Sequence, residues 1–474
     1  MRSVQTRTLF IAIASVFIIS SCSVTKDFKK PDVETKKLYE HDVQLDSTTL
    51  ADMPWQKLFA DSHLRNLIRE ALQNNPDLQI AIQQIKEAQA NLYQTRMSFI
   101  PSLTAGGDVS YNEPSDNASS FGRNGGSLKG NEQYSLSLSS SWEADIWGKL
   151  SSTKRAAYAH LLQSQAVRRA VRTTLIADVA NSYYNLMALD TKLQITRQTV
   201  ENRKKDVETM KQLKASSQVT GATVAQSMAN RYNAEVTIPD LKQRIQQQEN
   251  ALCILLGRDP GNIERSSLSK QSIADTLEVG VPAQLLRNRP DIIAAENAFR
   301  AAFEITNNAR TYFYPSLTIS AQGGFSSLDF NDLLQPGSVF ANIIGGLTQP
   351  LFDQGRNKAR LKTAKARQKE ALINYKNTIR NAGREVSDAL NSYQHAQEKM
   401  SLRKQQIDAL QKAVEYSKDL LNYGNATYTD VLTSQQNLLT AQLSQVNDKL
   451  QQLTSVVLLY RSLGGGWKKS LAGD

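Results

Sequence analysis

The sequence predicts a mainly α-helical chain with a small β part, built twice from one unit. Three observations carry this. Residues 151–217 and 425–463 contain neither glycine nor proline, which permits long unbroken helices. Tyr134, Leu136, Leu138 and Trp142 alternate with serines, a period of two that reads as a strand. Leu72-Gln73-Asn74-Asn75-Pro76-Asp77 recurs as Leu286-Arg287-Asn288-Arg289-Pro290-Asp291 at an offset of 214, shared by Phe99–Thr104 and Phe313–Thr318.

The chain has 474 residues. Its first 21 residues read as an export signal: Arg2 and Arg7 precede an apolar run from Leu9 to Ile19. That run is shorter than the ~20 residues a membrane-spanning helix needs. It ends in Ser20-Ser21-Cys22, which resembles a bacterial lipobox, so Cys22 is expected to be acylated. An ordinary signal peptide with a chance cysteine is the alternative. Cleavage before Cys22 removes two arginines and no acid, taking the formal charge from +11 to +9. Residues 22–62 then form a lipidated N-terminal segment.

The first repeat spans 63–285. A helix over about 64–99 is interrupted at Asn75-Pro76-Asp77, where a break or new start is expected. Strands follow at about 103–111 and 133–142, joined by a loop rich in Asn, Ser and Gly. Helical spacing then dominates, and Leu193, Val200 and Val207 fall seven apart as in a coiled coil. Over 151–217 such a helix reaches on the order of 100 Å. The second repeat, 286–463, begins with a helix over 288–313 and has strands at about 316–326 and 338–347. The chain is expected to reverse near Thr220-Gly221 and Tyr423-Gly424, with Gly221 and Gly424 permitting the turns. Residues 464–474 form a tail.

Several function classes find no support. Lys and Arg are dispersed among Glu, Asp and Gln, which reads as a solvated surface with some attraction to lipid headgroups and not as a nucleic-acid footprint. His41, His63, His160 and His395 lie far apart, so no metal site and no cofactor is expected. Cys253 sits beside Leu252, Ile254 and Leu255 and reads as a buried small hydrophobe. Gly464-Gly465-Gly466 lacks a phosphate-loop pattern. No nucleophile motif or carboxylate pair suggests an enzyme.

Four strands of about ten residues suit a membrane barrel but cannot close one. Open edges are not tolerated in lipid, so either the strands lie outside a membrane or several chains pool them under cyclic symmetry.

An ordered set of motifs then resembles one family. It comprises Trp55–Phe59 with Asp61, Asn75-Pro76-Asp77-Leu78, Ser141-Trp142-Glu143-Ala144-Asp145-Ile146-Trp147-Gly148-Lys149 and Ile238-Pro239-Asp240-Leu241. It continues with Leu255-Leu256-Gly257, Arg289-Pro290-Asp291, Pro350-Leu351-Phe352-Asp353 and Tyr460–Trp467. From Cys22 onward the chain resembles the outer membrane factors, the TolC-like channels, in the lipoprotein branch that serves resistance-nodulation-division pumps. The resemblance implies a homotrimer with a shared twelve-stranded outer-membrane β-barrel above a periplasmic α-barrel. It implies outer-membrane lipid, a periplasmic adaptor and an inner-membrane pump as partners, and a passive exit duct as the function. A lipid-anchored coiled-coil scaffold without a pore is the competing reading.

The resemblance also nominates residues. Asp430 matches an acid of the periplasmic gate, while Thr433 and Ala426 depart from the family's further acidic and basic gate positions. Asp430 reads equally as a helix-start residue near the positive end of the dipole. Gly221 and Gly424 lie where the family's helix tips touch the adaptor. Trp142 and Trp147 bracket a strand-to-helix junction and suit either a membrane interface or local packing. The cargo is not legible.

Overall fold

The computed structural model describes residues 24–33, 49–113, 131–271 and 284–468. The acylation candidate Cys22 and the signal segment lie outside them, as do residues 114–130 of the first strand loop and the last six residues.

The predicted elements form, with bounds within a few residues. The helix expected over 64–99 is two helices, α1 (Ser62–Asn74) and α2 (Pro76–Met97). Asn75 between them is extended, and its Oδ1 accepts the Leu78 N–H, starting α2 just where proline forbids α1 to continue. Strands β1 (Ser102–Asn112) and β2 (Asn131–Ala144) follow, then α3 (Lys149–Ala215), α4 (Gly221–Glu235) and α5 (Thr237–Leu256). The second repeat gives α6 (Pro290–Thr311), β3 (Ser316–Ser327), β4 (Val339–Thr348), α7 (Arg356–Asn422) and α8 (Tyr428–Ser462). Helix α7 has 67 residues, as many as α3, yet contains Gly383, so a search for glycine-free runs passes over it. Among the described residues no helix is long and apolar enough to cross a membrane.

The chain divides into two compact units, each drawing on both repeats. The first comprises Met1–Pro31, Ile85–Gln163 and Glu296–Asn374. It holds one antiparallel sheet in the order β1-β2-β3-β4. Within it the segment after residue 23 is tied to α6. Buried Asn307 accepts the Lys26 N–H at 3.1 Å and donates to the Lys26 carbonyl at 2.9 Å, while Phe28 packs against Phe299 and Phe303.

The second unit comprises Asp32–Gln84, Ser164–Ala295 and Tyr375–Asp474 and contains the main apolar core. Tyr183, Leu186, Met187, Leu252, Leu256 and Ile292 are fully buried there, each contributing roughly 1.5–3 kcal/mol. Cys253 is buried among them, as its neighbours imply. The expected α3 seam is real, for Leu193, Val200 and Val207 are all buried.

The two repeats are matched at their helix ends. Asn75 Nδ2 donates to the Leu255 carbonyl, and Arg289, its counterpart, donates to the Ser462 carbonyl. In each repeat the residue before the proline thus satisfies a C-terminal carbonyl that its helix leaves unpaired.

Candidate functional site

The sheet sorts its side chains. Residues opposite one another in the register share a face. Leu103 lies across from Ser140, Val109 from Tyr134, Leu136 from Phe325, Trp142 from Ile319, Ala321 from Ile343 and Leu317 from Leu347. Apart from Ser140, this face is apolar through the middle of every strand, and it is bare: Leu103 is 73% and Ile343 78% exposed. The opposite face carries Ser102, Thr104, Asp108 and Ser110 on β1, Ser135, Ser137, Ser139 and Ser141 on β2, Thr318, Ser320 and Gln322 on β3, and Asn342 and Thr348 on β4. Only Phe340 and Ile344 break its polarity, and the four strands carry no Lys or Arg. Among the described residues, strands β1 and β4 each pair on one side alone.

Both tryptophans are half-buried at the foot of the sheet. Trp142, on the apolar face, donates its indole N–H to the Phe99 carbonyl at 3.0 Å. Trp147 donates to the Pro315 carbonyl at 2.7 Å and rests on the Tyr314 ring. Asp145 accepts the Leu150 and Ser151 N–H groups and so begins α3. Packing at the junction is therefore part of what both tryptophans do.

The helix tips lie in the second unit. At the α7–α8 tip Gly424 takes a left-handed φ of 75°, as glycine readily does. At the α3–α4 tip the expectation needs correction: Ser217, with φ 57°, takes the left-handed position, and Gly221 is simply the first residue of α4. Ser217 donates its N–H to Lys214 and Gln218 to Leu213, which closes the end of α3, so the chain has already turned before Gly221. Thr220 then caps α4.

Asp430 is exposed and forms a capping box with Thr427. Its carboxylate accepts the Thr427 N–H at 2.8 Å and the Thr427 hydroxyl at 2.7 Å, while Thr427 Oγ1 accepts the Asp430 N–H. The Thr427 side chain, and then its backbone N–H, hold the Asp430 carboxyl below the usual carboxylate value. The helix-start reading of Asp430 is thus met in the structure.

Three buried groups near the tips escaped the sequence reading. Arg203 is 4% exposed, and its guanidinium donates to the Asn230 carbonyl at 2.6 Å and to Gln436 at 2.7 Å. Burial lowers its pKa, and the nearby Tyr428 and Asp206 offset this only in part. The signal was present: Arg203 stands between Val200 and Val207 at seam spacing, with Met210 next, so a charge there had to be buried. Tyr428 donates its hydroxyl to Ser227, joining α8 to α4. Nothing in the local sequence pairs those two.

Among the described residues no cluster of His, Cys, Asp or Glu has the arrangement of a metal site. A sheet with one apolar and one polar face and two open edges, carried on long helical hairpins, defines a subunit of an oligomeric membrane channel. The chain belongs to the outer membrane efflux protein family, whose model matches residues 67–258 and 281–465. It is 28% identical over 464 residues to the cation efflux system protein CusC of Escherichia coli O6:H1, covering 95% of this chain and 97% of that one. It is 29% identical over 472 residues to SilC of Salmonella typhimurium, described as a probable outer membrane lipoprotein, with 96% and 98% coverage. The solved CmeC outer membrane channel of Campylobacter jejuni superposes with a TM-score of 0.85 at 25% identity, over 94% of this chain and 95% of that one.

Proposed function

We propose that three copies of this chain pool their strands into one closed twelve-stranded barrel in the outer membrane, forming the passive exit duct of a tripartite efflux system. The observation that carries this is the sorted sheet with two open edges. Its apolar face suits lipid and its polar face a water-filled lumen, and closure by further copies removes edges that hydrocarbon does not tolerate. A scaffold without a pore has no use for a bare apolar sheet. The aromatic Trp142 at one end of the apolar face, with Tyr111, Tyr134 and Phe325 at the other, fits two interfacial girdles.

Cys22 carries the lipid anchor, and Asn307 holds the chain that follows it. Continued uptake of labelled acyl chains by a Cys22→Ala protein would remove the anchor from this account. The tips around Ser217 and Gly424 meet a periplasmic adaptor, and a resistance-nodulation-division pump supplies the energy. Copies of Asp430 near the axis favour cations at the entrance. The lumen, with acids but no bases on its strands, favours them again. CusC is described as a cation efflux protein, and this chain's lining is compatible with cationic cargo.

Conductance of the purified protein in a planar bilayer tests the reading. Discrete channels with cation preference are expected. A silent protein that also stays silent after Arg203→Met, which unties α3 from α4 and α8, would refute the duct.

A further inference from the structure

Within the second unit, helices α3, α4, α5 and α8 border a cleft of about 450 Å³. Its charge is lopsided. Lys192 and Arg203 line it from α3 and Arg244 from α5, against one acid, Asp240. Among the described residues neither Lys192 nor Arg244 forms an ion pair, with Asp240 or with any other acid. Lys192 is half-buried, and burial followed by the positive charge of Arg244 lowers its pKa. The two cations thus repel each other across the cleft.

Arg203 is the most buried of the three bases. The Asn230 carbonyl and Gln436 take its two terminal nitrogens, while its Nε is buried with no hydrogen-bond partner. A guanidinium with a buried donor unmet carries a desolvation cost that neutral acceptors do not return in full. The acid that acts on it, Asp206, is turned elsewhere, accepting from Gln435 at 2.9 Å and facing Lys418 at 3.9 Å. Beside these unmet charges Leu241, Leu439 and Leu443 give the same cleft an apolar wall.

We infer that the cleft binds an organic anion, its acceptor oxygens toward Arg203, Lys192 and Arg244 and its apolar body on the three leucines. Oxygen acceptors meet the remaining guanidinium N–H, and a negative charge relieves the repulsion between Lys192 and Arg244. An inorganic anion would leave the leucines wet, and an uncharged apolar molecule would leave the bases unpaired. The volume falls in the range of about 300–1,000 Å³ that small-molecule sites occupy. A ligand here touches α3, α5 and α8 at once and so stabilises their packing. The inference goes beyond the exit duct and does not rest on it, since it needs only the second unit to be folded.

Equilibrium dialysis of the full-length protein in a neutral detergent tests the site. The probe is naphthoate, with naphthamide as its uncharged analogue and protein-free detergent as the blank. Saturable binding of one naphthoate per chain is expected, at least about tenfold tighter than naphthamide. The double variant Lys192→Gln with Arg244→Gln should weaken naphthoate at least about tenfold and leave naphthamide unchanged. Lys204→Gln with Lys211→Gln removes the same charge from exposed positions of α3 and should alter neither. Naphthamide binding as tightly as naphthoate to the parent protein overturns the site, and this comparison needs no variant to fold. Equal weakening by the two double variants, both with parental helical circular dichroism, also overturns it. So does the absence of saturable binding above the blank, the result expected where a neighbouring copy fills the cleft.

Discussion

Gly464 faces the carbonyl of Asn288 so closely that a Cβ at that glycine would stand 2.5 Å from the oxygen. The first repeat has the same relationship, with Gly257 facing the Asn74 carbonyl at 2.4 Å. Both glycines end a long helix with positive φ, 86° and 72°, and both abut the residue two before the proline that starts the next helix. Any side chain there meets backbone as well as an unfavourable φ. Gly464→Ala and Gly257→Ala are each expected to cost more than about 2 kcal/mol, read as a lower urea midpoint in detergent. Gly221→Ala, at an ordinary helical position, serves as the control and should change the midpoint little.

Arg289 ties the second repeat together and is expected to be the most sensitive charge of the second unit. Only 7% exposed, it donates to Asp291 at 2.6 Å, Glu385 at 2.8 Å and the Ser462 carbonyl at 2.9 Å. Removing it strands two carboxylates and a helix-end carbonyl. Arg289→Ala should lose about 3 kcal/mol or more, and Arg289→Lys should recover only part, because an ammonium cannot reproduce the planar fork. Equal stability of the Lys variant and the parent would refute the fork.

Acid should loosen the second unit through Asp61. Burial raises its pKa, but hydrogen bonds involving Ser266, Tyr183, Gln271 and the His63 N–H outweigh that and hold the carboxyl below its ordinary value of 3.8. A lowered folded pKa means the stability is present above the unfolded value and is lost as pH falls through the folded one. Helical circular dichroism in urea, followed from about pH 6 down to pH 3, should show a falling midpoint. Asp61→Asn should flatten that fall. The Tyr183 hydroxyl, pushed up to about 12 mainly by burial, stays protonated throughout and keeps donating to Asp61.

Asp430 separates charge from capping. Asparagine retains an oxygen for the Thr427 N–H, whereas alanine does not. If the carboxylate charge acts at the entrance, Asp430→Asn weakens cation preference in bilayer reversal potentials while the helix start holds. If capping is its whole role, Asp430→Asn leaves the potentials unchanged and only Asp430→Ala alters channel opening.

Local chemistry made much of the fold legible. The proline at position 76 forced a new helix, alternation at 134–142 gave a strand, and the seam at 193, 200 and 207 gave the packed face of α3. At the candidate site, the serines alternating with apolar residues on β2 already implied a sheet with two unlike faces. The sequence could not say which neighbours those faces have, because register depends on a partner strand up to 193 residues away, as Gln133 and Ser326 show.

By itself, then, the sequence determined the types of element, their duplication and the amphipathic strands, since each of these depends on periodicity or on a residue's own backbone limits. Tertiary structure decided the rest. It gave the left-handed turn to Ser217 and not Gly221, aimed both tryptophan N–H groups at carbonyls of other elements, buried Arg203 against neutral acceptors, and seated Gly464 on Asn288. Each of these is a choice of partner for a polar group or a backbone, and such a choice is fixed only when distant segments are packed close enough to exclude water.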